Sequence, residues 1–265
     1  MDNLPLFFKI PKISSSFRSL EDNIKEKGLQ SGVAHFLSSL GTEIEVIGLN
    51  REVKETLLTR PVLVIANHPN SFDPLAILSA LPPREDAYVV LSSDFYESMP
   101  SFGTYAIPVY IRNQTAKSEW SHLKLALKRV FFGKSLTREE EKTRNQNSLN
   151  LTSRKLTEGG SVLMFPSPGK AIGEEKWKRG VGMVLKTTAN TNLKIVMAYI
   201  TGTSPLDYLR VFPQTCKYLG DIWVTYSKPY YASKLLESAK SAEEITEKLQ
   251  GQYENWVNII TKLRE

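Results

Sequence analysis

The sequence predicts an α/β fold in which a mostly parallel central sheet is flanked by helices. Three short apolar runs have the composition of buried strands, at residues 62–66, 161–165 and 193–200. Segments of helical periodicity lie between them, at residues 74–81, around 123–131 and around 181–189. Strands that are apolar on both faces are typical of parallel sheets covered by helices, and their alternation with helices indicates an α/β sandwich.

An amphipathic helical segment, residues 1–41, precedes the predicted α/β domain at residues 42–265. Its apolar side chains recur at helical spacing: Leu29, Val33, Phe36, Leu37 and Leu40. Gly41 is placed to end this helix. The apolar face either packs on the domain or contacts a membrane. A strand is predicted at residues 43–49.

The end of the chain is predicted to be a closing helix. Its apolar face is formed by Ile245, Leu249, Trp256 and Ile260. Their spacing is helical, so the simplest interpretation is a helix packed on the domain.

Residues 113–159 are predicted to be an insertion in the domain. Around residues 123–131, one apolar helical face is accompanied by lysine and arginine side chains. Such a basic amphipathic helix can lie in the headgroup layer of a membrane, or it can pack on the domain with its cations in solvent. Residues 137–153 are polar and carry both charge signs, which predicts a mobile loop.

Composition limits the partners. The formal net charge of +6 indicates an anionic partner, and nucleic acid is the least favoured because no Gly-rich, zinc or base-stacking motif accompanies the charge. Cys216 is the single cysteine, so we expect neither a disulfide within the chain nor a cysteine-based metal site. No apolar run approaches the roughly 20 residues that span a bilayer. We therefore predict a peripheral or monotopic protein on the cytoplasmic face of a membrane.

The segment from Asn67 to Asp73 holds a His-x4-Asp (HX4D) pattern directly after a predicted buried strand. In parallel sheets, reactive groups usually lie just past the carboxyl ends of strands. An imidazole can take a proton from a hydroxyl at neutral pH, and a carboxylate on its other nitrogen fixes its tautomer. The two side chains lie on different faces of a regular helix, so they meet only if His68 occupies the turn before it. The alternatives are a helix N-cap for Asp73 and a hydrogen-bonded loop histidine for His68.

Several blocks occur in a fixed order along the chain: residues 46–49, 64–74, Gly103 with Ile111 and Arg112, residues 165–170, residues 178–180 and residues 196–199. They resemble the blocks of the glycerolipid (1-acylglycerol-3-phosphate) acyltransferase family, whose best-known members convert lysophosphatidic acid to phosphatidic acid. The resemblance implies that family's fold. It also implies that His68 is the general base and that Asp73 orients it.

The same resemblance implies an acceptor site lined by Asn67, Gly103, Arg112, Ser167, Gly169, Lys170 and Arg179. The third block departs from the family, because Ser167 stands where the family has Glu and Lys170 where it has Arg. A lysine offers a point charge where an arginine offers a bidentate fork for phosphate. The identity of the acceptor is therefore left open, and solvated surface charge is the alternative for Lys170 and Arg179.

These observations predict an O-acyltransferase of phospholipid or glycerolipid biosynthesis. It would move a fatty acyl chain from an acyl-CoA or acyl-carrier-protein thioester to a lipid hydroxyl at a membrane surface, without a metal or redox cofactor. Two alternatives stay open: a thioesterase that uses the same histidine with water, and a catalytically silent lipid-binding homologue. The sequence does not predict the oligomeric state.

Overall fold

A mixed sheet is the framework of the computed structural model, which describes residues 11–70, 72–93, 99–110, 136–167, 176–216 and 218–263. Within these ranges the strands are β1 Ile44–Ile47, β2 Val62–Ala66, β3 Ala87–Ser92, β4 Ala106–Val109, β5 Ser161–Met164, β6 Lys194–Thr201, β7 Ile222–Tyr226 and β8 Tyr230–Tyr231. The four strands predicted from the sequence are confirmed, with β2 at its predicted bounds.

The strand order is β1-β7-β6-β2-β5-β3-β4, and β8 pairs with β6 beside this path. Strand β2 runs parallel to both of its neighbours, and β3 runs parallel to β4 and β5. The antiparallel pairs join β6 to β7 and to β8. The prediction of a mostly parallel sheet is confirmed. Because β2 is central and all five of its residues are buried, its carboxyl end opens at the middle of the sheet edge.

Helices cover both faces of the sheet. They are α1 Pro11–Lys27, α2 Leu29–Ser39, α3 Arg51–Thr59, α4 Asp73–Ala80, α5 Pro100–Gly103, α6 Arg138–Thr157, α7 Gly180–Thr187, α8 Pro213–Cys216, α9 Ser233–Leu236 and α10 Ala242–Lys262, with a 3-10 turn at Asp207–Val211. Alternate residues of β2 enter different cores. Val62, Val64 and Ala66 pack in the core that includes residues of α2 and α4. Leu63 and Ile65 pack with residues of α7 and α10.

The N-terminal helices belong to the first of these cores. The predicted apolar face of α2 is buried there at all five positions. Gly41 follows the helix with φ +71°, a left-handed conformation that glycine adopts without a steric penalty, and this confirms the predicted helix end. The alternative in which this face contacts a membrane is therefore excluded.

The predicted mobile loop at residues 137–153 is wrong, because these residues begin α6. Thr137 and Glu140 form a capping box: the threonine hydroxyl accepts from the Glu140 N–H at 3.2 Å, and the Glu140 carboxylate accepts from the Thr137 N–H at 2.8 Å. The inward face is polar, with Ser148 donating to the Pro108 carbonyl at 2.5 Å. An inward face of this kind gives no apolar periodicity. The predicted basic helix around residues 123–131 lies outside the described residues.

None of the helices in the described ranges combines the length and the apolar character that a bilayer crossing requires. The closing helix is confirmed as α10. Its buried face is formed by Ile245, Leu249, Tyr253 and Val257, whereas Trp256 and Ile260 are only partly buried.

Candidate active site

Residues 67–70 and Phe72 lie between the carboxyl end of β2 and the start of α4, and they are called here the motif loop. The structure brings His68 and Asp73 together across this loop, with His68 Nδ1 3.2 Å from Asp73 Oδ2. His68 occupies the turn before the helix, which is the arrangement that lets the two side chains meet. Phe72 holds the N-cap position and Asp73 is the first helical residue, so the interpretation of Asp73 as an N-cap is wrong.

Asp73 is fully buried, whereas the His68 side chain keeps 21% of its surface exposed. The same Asp73 oxygen also accepts from the Asn70 N–H at 2.6 Å. Its other oxygen has no hydrogen-bond partner among the described residues. A buried carboxylate is costly unless donors and positive potential compensate it. Here two donors and the N-terminus of α4 do so.

The segment that follows β6 supports the motif loop from one side. Asn70 donates through its side-chain amide to the Thr203 carbonyl at 3.1 Å. The guanidinium of Arg210 lies 5.9 Å from the centre of the Phe72 ring. Arg210 is itself fixed by the buried carboxylate of Asp207, with its Nε donating at 2.7 Å. The loop is therefore held in place by a part of the chain more than 130 residues away.

The third block reaches the site through Phe165. Its ring centre lies 4.9 Å from that of His68, with the two planes tilted by 46°. Two residues later, Ser167 has a buried hydroxyl with no partner among the described residues. The carboxyl ends of β2 and β5 thus meet at this point, and one side of the histidine ring faces an aromatic side chain.

A model of the acyltransferase family matches residues 44–201, which is more than half of the chain. The chain belongs to the acyltransferase family. The matched range contains β1 to β6 and both members of the His68 and Asp73 pair. The prediction that the chain is an acyltransferase is confirmed.

Among solved structures, this acyltransferase is similar to the 1-acyl-sn-glycerophosphate (LPA) acyltransferase PlsC from Thermotoga maritima. The two are 15% identical with a TM-score of 0.49, and the match covers 96% of this chain and 85% of that one. No curated protein matches the acyltransferase significantly by sequence.

Two of the predicted acceptor residues lie at the ends of helices other than α4. Gly103 ends α5, and its N–H donates to the Met99 carbonyl at 2.7 Å. Arg179 precedes α7 with its side chain 68% exposed, and its guanidinium lies 3.5 Å from a Glu243 carboxylate oxygen. Arg112, Gly169 and Lys170 lie outside the described residues.

Asn67 forms its hydrogen bonds with other residues of the acyltransferase. Its side-chain amide donates to the Ile200 carbonyl and accepts from the Ile200 N–H, both at 2.9 Å. Its backbone N–H donates to the Tyr253 hydroxyl at 3.0 Å. Sequence reasoning missed Tyr253 because no motif marks a tyrosine on a closing helix. Its only local signal is the i, i+4 spacing from Leu249 on the buried face of α10.

The described part of the acyltransferase contains no group of three or more His, Cys, Asp or Glu residues that could hold a metal ion. The arrangement around His68 consists of a partly exposed imidazole beside a buried carboxylate. This combination suits proton transfer to and from a substrate.

Proposed function

We propose that this acyltransferase moves a fatty acyl chain from an acyl-CoA or acyl-carrier-protein thioester to a hydroxyl of a lysophospholipid or related lipid. In this proposal His68 is the general base and Asp73 orients it. The single observation that carries the proposal is the 3.2 Å contact between His68 Nδ1 and the buried carboxylate of Asp73. It leaves the other ring nitrogen for the substrate.

The carboxylate selects the useful tautomer. With Nδ1 protonated and donating to Asp73 Oδ2, Nε2 carries a lone pair. The partial exposure of the ring leaves a route for a hydroxyl to reach it. When the ring accepts a proton, the negative charge of Asp73 stabilises the imidazolium.

The reaction then follows in two steps. The acceptor hydroxyl gives its proton to His68 Nε2 while its oxygen bonds to the thioester carbonyl carbon, and the carbonyl electron pair moves to oxygen. The tetrahedral intermediate collapses by breaking the carbon–sulfur bond, and His68 returns the proton to the sulfur. The products are an ester and a free thiol, and His68 is again neutral.

A lipid acceptor is supported by the surface beside the motif loop. The segment that follows β6 exposes Leu206 by 60%, Leu209 by 42% and Tyr218 by 78%. The same segment contacts the motif loop through Thr203 and Arg210. Exposed apolar side chains next to an active site suit a lipid surface, because burial in the acyl region removes them from water.

The reaction is tested by following free thiol released from acyl-CoA and from an acyl-carrier-protein thioester, with and without a panel of lysolipids. Release that depends on an acceptor, and that His68→Ala abolishes, supports acyl transfer. The matched control is His35→Ala, since His35 is exposed on α2. Release without any acceptor indicates a thioesterase, and no release with any thioester indicates a silent homologue. Unchanged release by His68→Ala refutes the role of His68.

The membrane surface is tested with anionic vesicles that contain the preferred lysolipid. Leu206→Glu combined with Leu209→Glu should weaken vesicle binding, and the activity on vesicles should fall while that on a soluble short-chain acceptor is kept. The matched control is Leu263→Glu, which changes a leucine that is 81% exposed at the end of α10. Equal vesicle binding by both variants contradicts a lipid-facing role for this segment.

A further inference from the structure

The hydroxyl of Tyr253 connects the C-terminal helix to the residue that precedes His68. It accepts from the backbone N–H of Asn67 at 3.0 Å. It also lies 2.8 Å from the Ala198 carbonyl and 3.2 Å from Asn67 Oδ1, each of which can accept its proton. The Tyr253 hydroxyl therefore hydrogen-bonds both the residue that follows β2 and the neighbouring strand β6.

Asn67 completes this connection from its own side. The regular pairing of β2 with β6 ends at Ala66, which is opposite Ala198. Beyond it, the Asn67 amide bonds both the N–H and the carbonyl of Ile200, as a further strand residue would. The two residues that precede His68 are thus both bonded to β6, Ala66 through strand pairing and Asn67 through its side chain.

The Tyr253 hydroxyl is suited to a permanent role of this kind. The side chain is 1% exposed, and burial raises the pKa of its phenol, so the proton stays on the oxygen. A protonated phenol can donate one hydrogen bond and accept others. Its removal would leave the Asn67 N–H and the Ala198 carbonyl without this partner in a buried place, which is costly.

Helix α10 is itself firmly placed. A Cβ at Gly182 would lie 1.9 Å from the Ala242 carbonyl oxygen, so α7 and α10 approach more closely than any side chain allows. The Thr246 hydroxyl accepts from the Gly182 N–H at 3.2 Å, and Gln250 accepts from the Trp177 N–H at 2.9 Å. These contacts fix the depth at which Tyr253 enters the core.

We propose that Tyr253 and Asn67 are positioning residues of the acyl-transfer reaction. Together they fix the backbone from which His68 projects, so that its ring meets the acceptor hydroxyl and Asp73 at the same time. This inference rests on the proposed role of His68 as the base. It gives Asn67 a positioning role in place of the predicted contact with substrate.

The test compares Tyr253→Phe with Tyr226→Phe. Both hydroxyls are buried, but that of Tyr226 has no hydrogen-bond partner among the described residues, so it is a matched control. A small misplacement of a catalytic group costs up to about a hundredfold in rate, and we expect Tyr253→Phe to lower kcat about tenfold. KM for the acyl donor and the acceptor should stay within about twofold, since neither residue touches substrate. Tyr226→Phe should keep the native kcat.

A merely structural role is separated by measuring unfolding curves for both variants and assaying well below their transitions. Loss of stability alone would leave kcat of the folded protein unchanged. Asn67→Ala tests the other half of the connection and carries the comparison if Tyr253→Phe does not fold. We expect it to lower kcat with KM unchanged. The double variant should lose little more than the worse single one, because both act on one backbone segment.

The outcomes separate this inference from the proposed function. Unchanged activity of His68→Ala removes the base and the positioning role with it. If His68→Ala is inactive while Tyr253→Phe matches Tyr226→Phe, only the positioning role is overturned. A rise in acceptor KM for Asn67→Ala with kcat intact would show that Asn67 contacts substrate instead.

Discussion

The substitution Asp73→Asn separates the charge of the orienting group from its shape. Asp73 Oδ2 accepts from both the Asn70 N–H and His68 Nδ1, while Oδ1 has no partner among the described residues. An asparagine can therefore place its oxygen at the present Oδ2 position and its amide nitrogen at the Oδ1 position. Both hydrogen bonds are kept and only the negative charge is lost.

The size of the effect follows from the distance. A hydrogen bond to a charged group contributes about 1 kcal/mol more than a neutral one. Two unit charges about 4 Å apart at an effective dielectric constant of 20 interact by about 4 kcal/mol. Between these bounds, loss of the charge beside the imidazolium lowers kcat by about fivefold to a thousandfold. Asp73→Ala should cost more, because it also frees the ring and leaves the Asn70 N–H unpaired.

The assay is thiol release at saturating acyl donor and acceptor, with the free energy of unfolding measured on the same preparations. Asp73→Asn keeps both hydrogen bonds but places its N–H groups at the unpaired Oδ1 position, so it should fold with a loss of about 1 to 3 kcal/mol in unfolding free energy. Asp73→Ala should lose about 1 to 3 kcal/mol. Native kcat in a folded Asp73→Asn variant would falsify the electrostatic role and assign any loss in Asp73→Ala to orientation, whereas equal loss in both variants would assign the effect to the charge alone.

Three further predictions concern stability. Thr137→Ala removes the capping box of α6 and should cost about 1 kcal/mol of unfolding free energy with kcat unchanged, as urea unfolding and thiol release can show. Gly182→Ala forces a Cβ toward the Ala242 carbonyl, so it should cost about 1 to 3 kcal/mol and lower kcat as α10 moves; native values for both would contradict the close packing. Hydrogen bonds from Arg84 lower the pKa of the half-exposed Asp86 carboxyl. Its lowered pKa adds stability above the ordinary aspartate range, which is lost as the pH falls through the folded-state pKa. The stability difference between the native protein and Asp86→Asn should therefore shrink below about pH 4, measured by urea unfolding across pH.

The fold could be predicted where local sequence reports burial directly. The run from Val62 to Ala66 is buried at every position, so its apolar composition marked both ends of β2. Helix α6 shows the opposite case. Its inward positions include Ser148, Thr152 and Ser153, whose hydroxyls bond backbone carbonyls. The sequence contains its capping box, but a helix with a polar buried face has no apolar periodicity by which it could be predicted.

The contacts of the candidate site are likewise of two kinds, local and long-range. The His68 and Asp73 contact spans five residues, so the sequence could suggest it from spacing and a turn. The bonds of Asn67 could not be suggested in this way, because Ile200 and Tyr253 are 133 and 186 residues away. Only the pairing of β2 with β6 and the depth of α10 bring these groups together.

The long-range contacts determine how His68 and Asp73 are held. A short loop can bring a histidine and an aspartate within reach, but many of its conformations do so, and they exchange at little cost in free energy. Bonds from Asn67 to β6 and α10, and from Asn70 to Thr203 in the segment that follows β6, restrict that freedom because they end on other parts of the fold. The contact between His68 and Asp73 is therefore local, whereas the accuracy of their positions depends on contacts with distant parts of the chain. Changes in α10 should then alter kcat without touching any substrate, in contrast to changes in the exposed segment after β6, which should alter access to lipid.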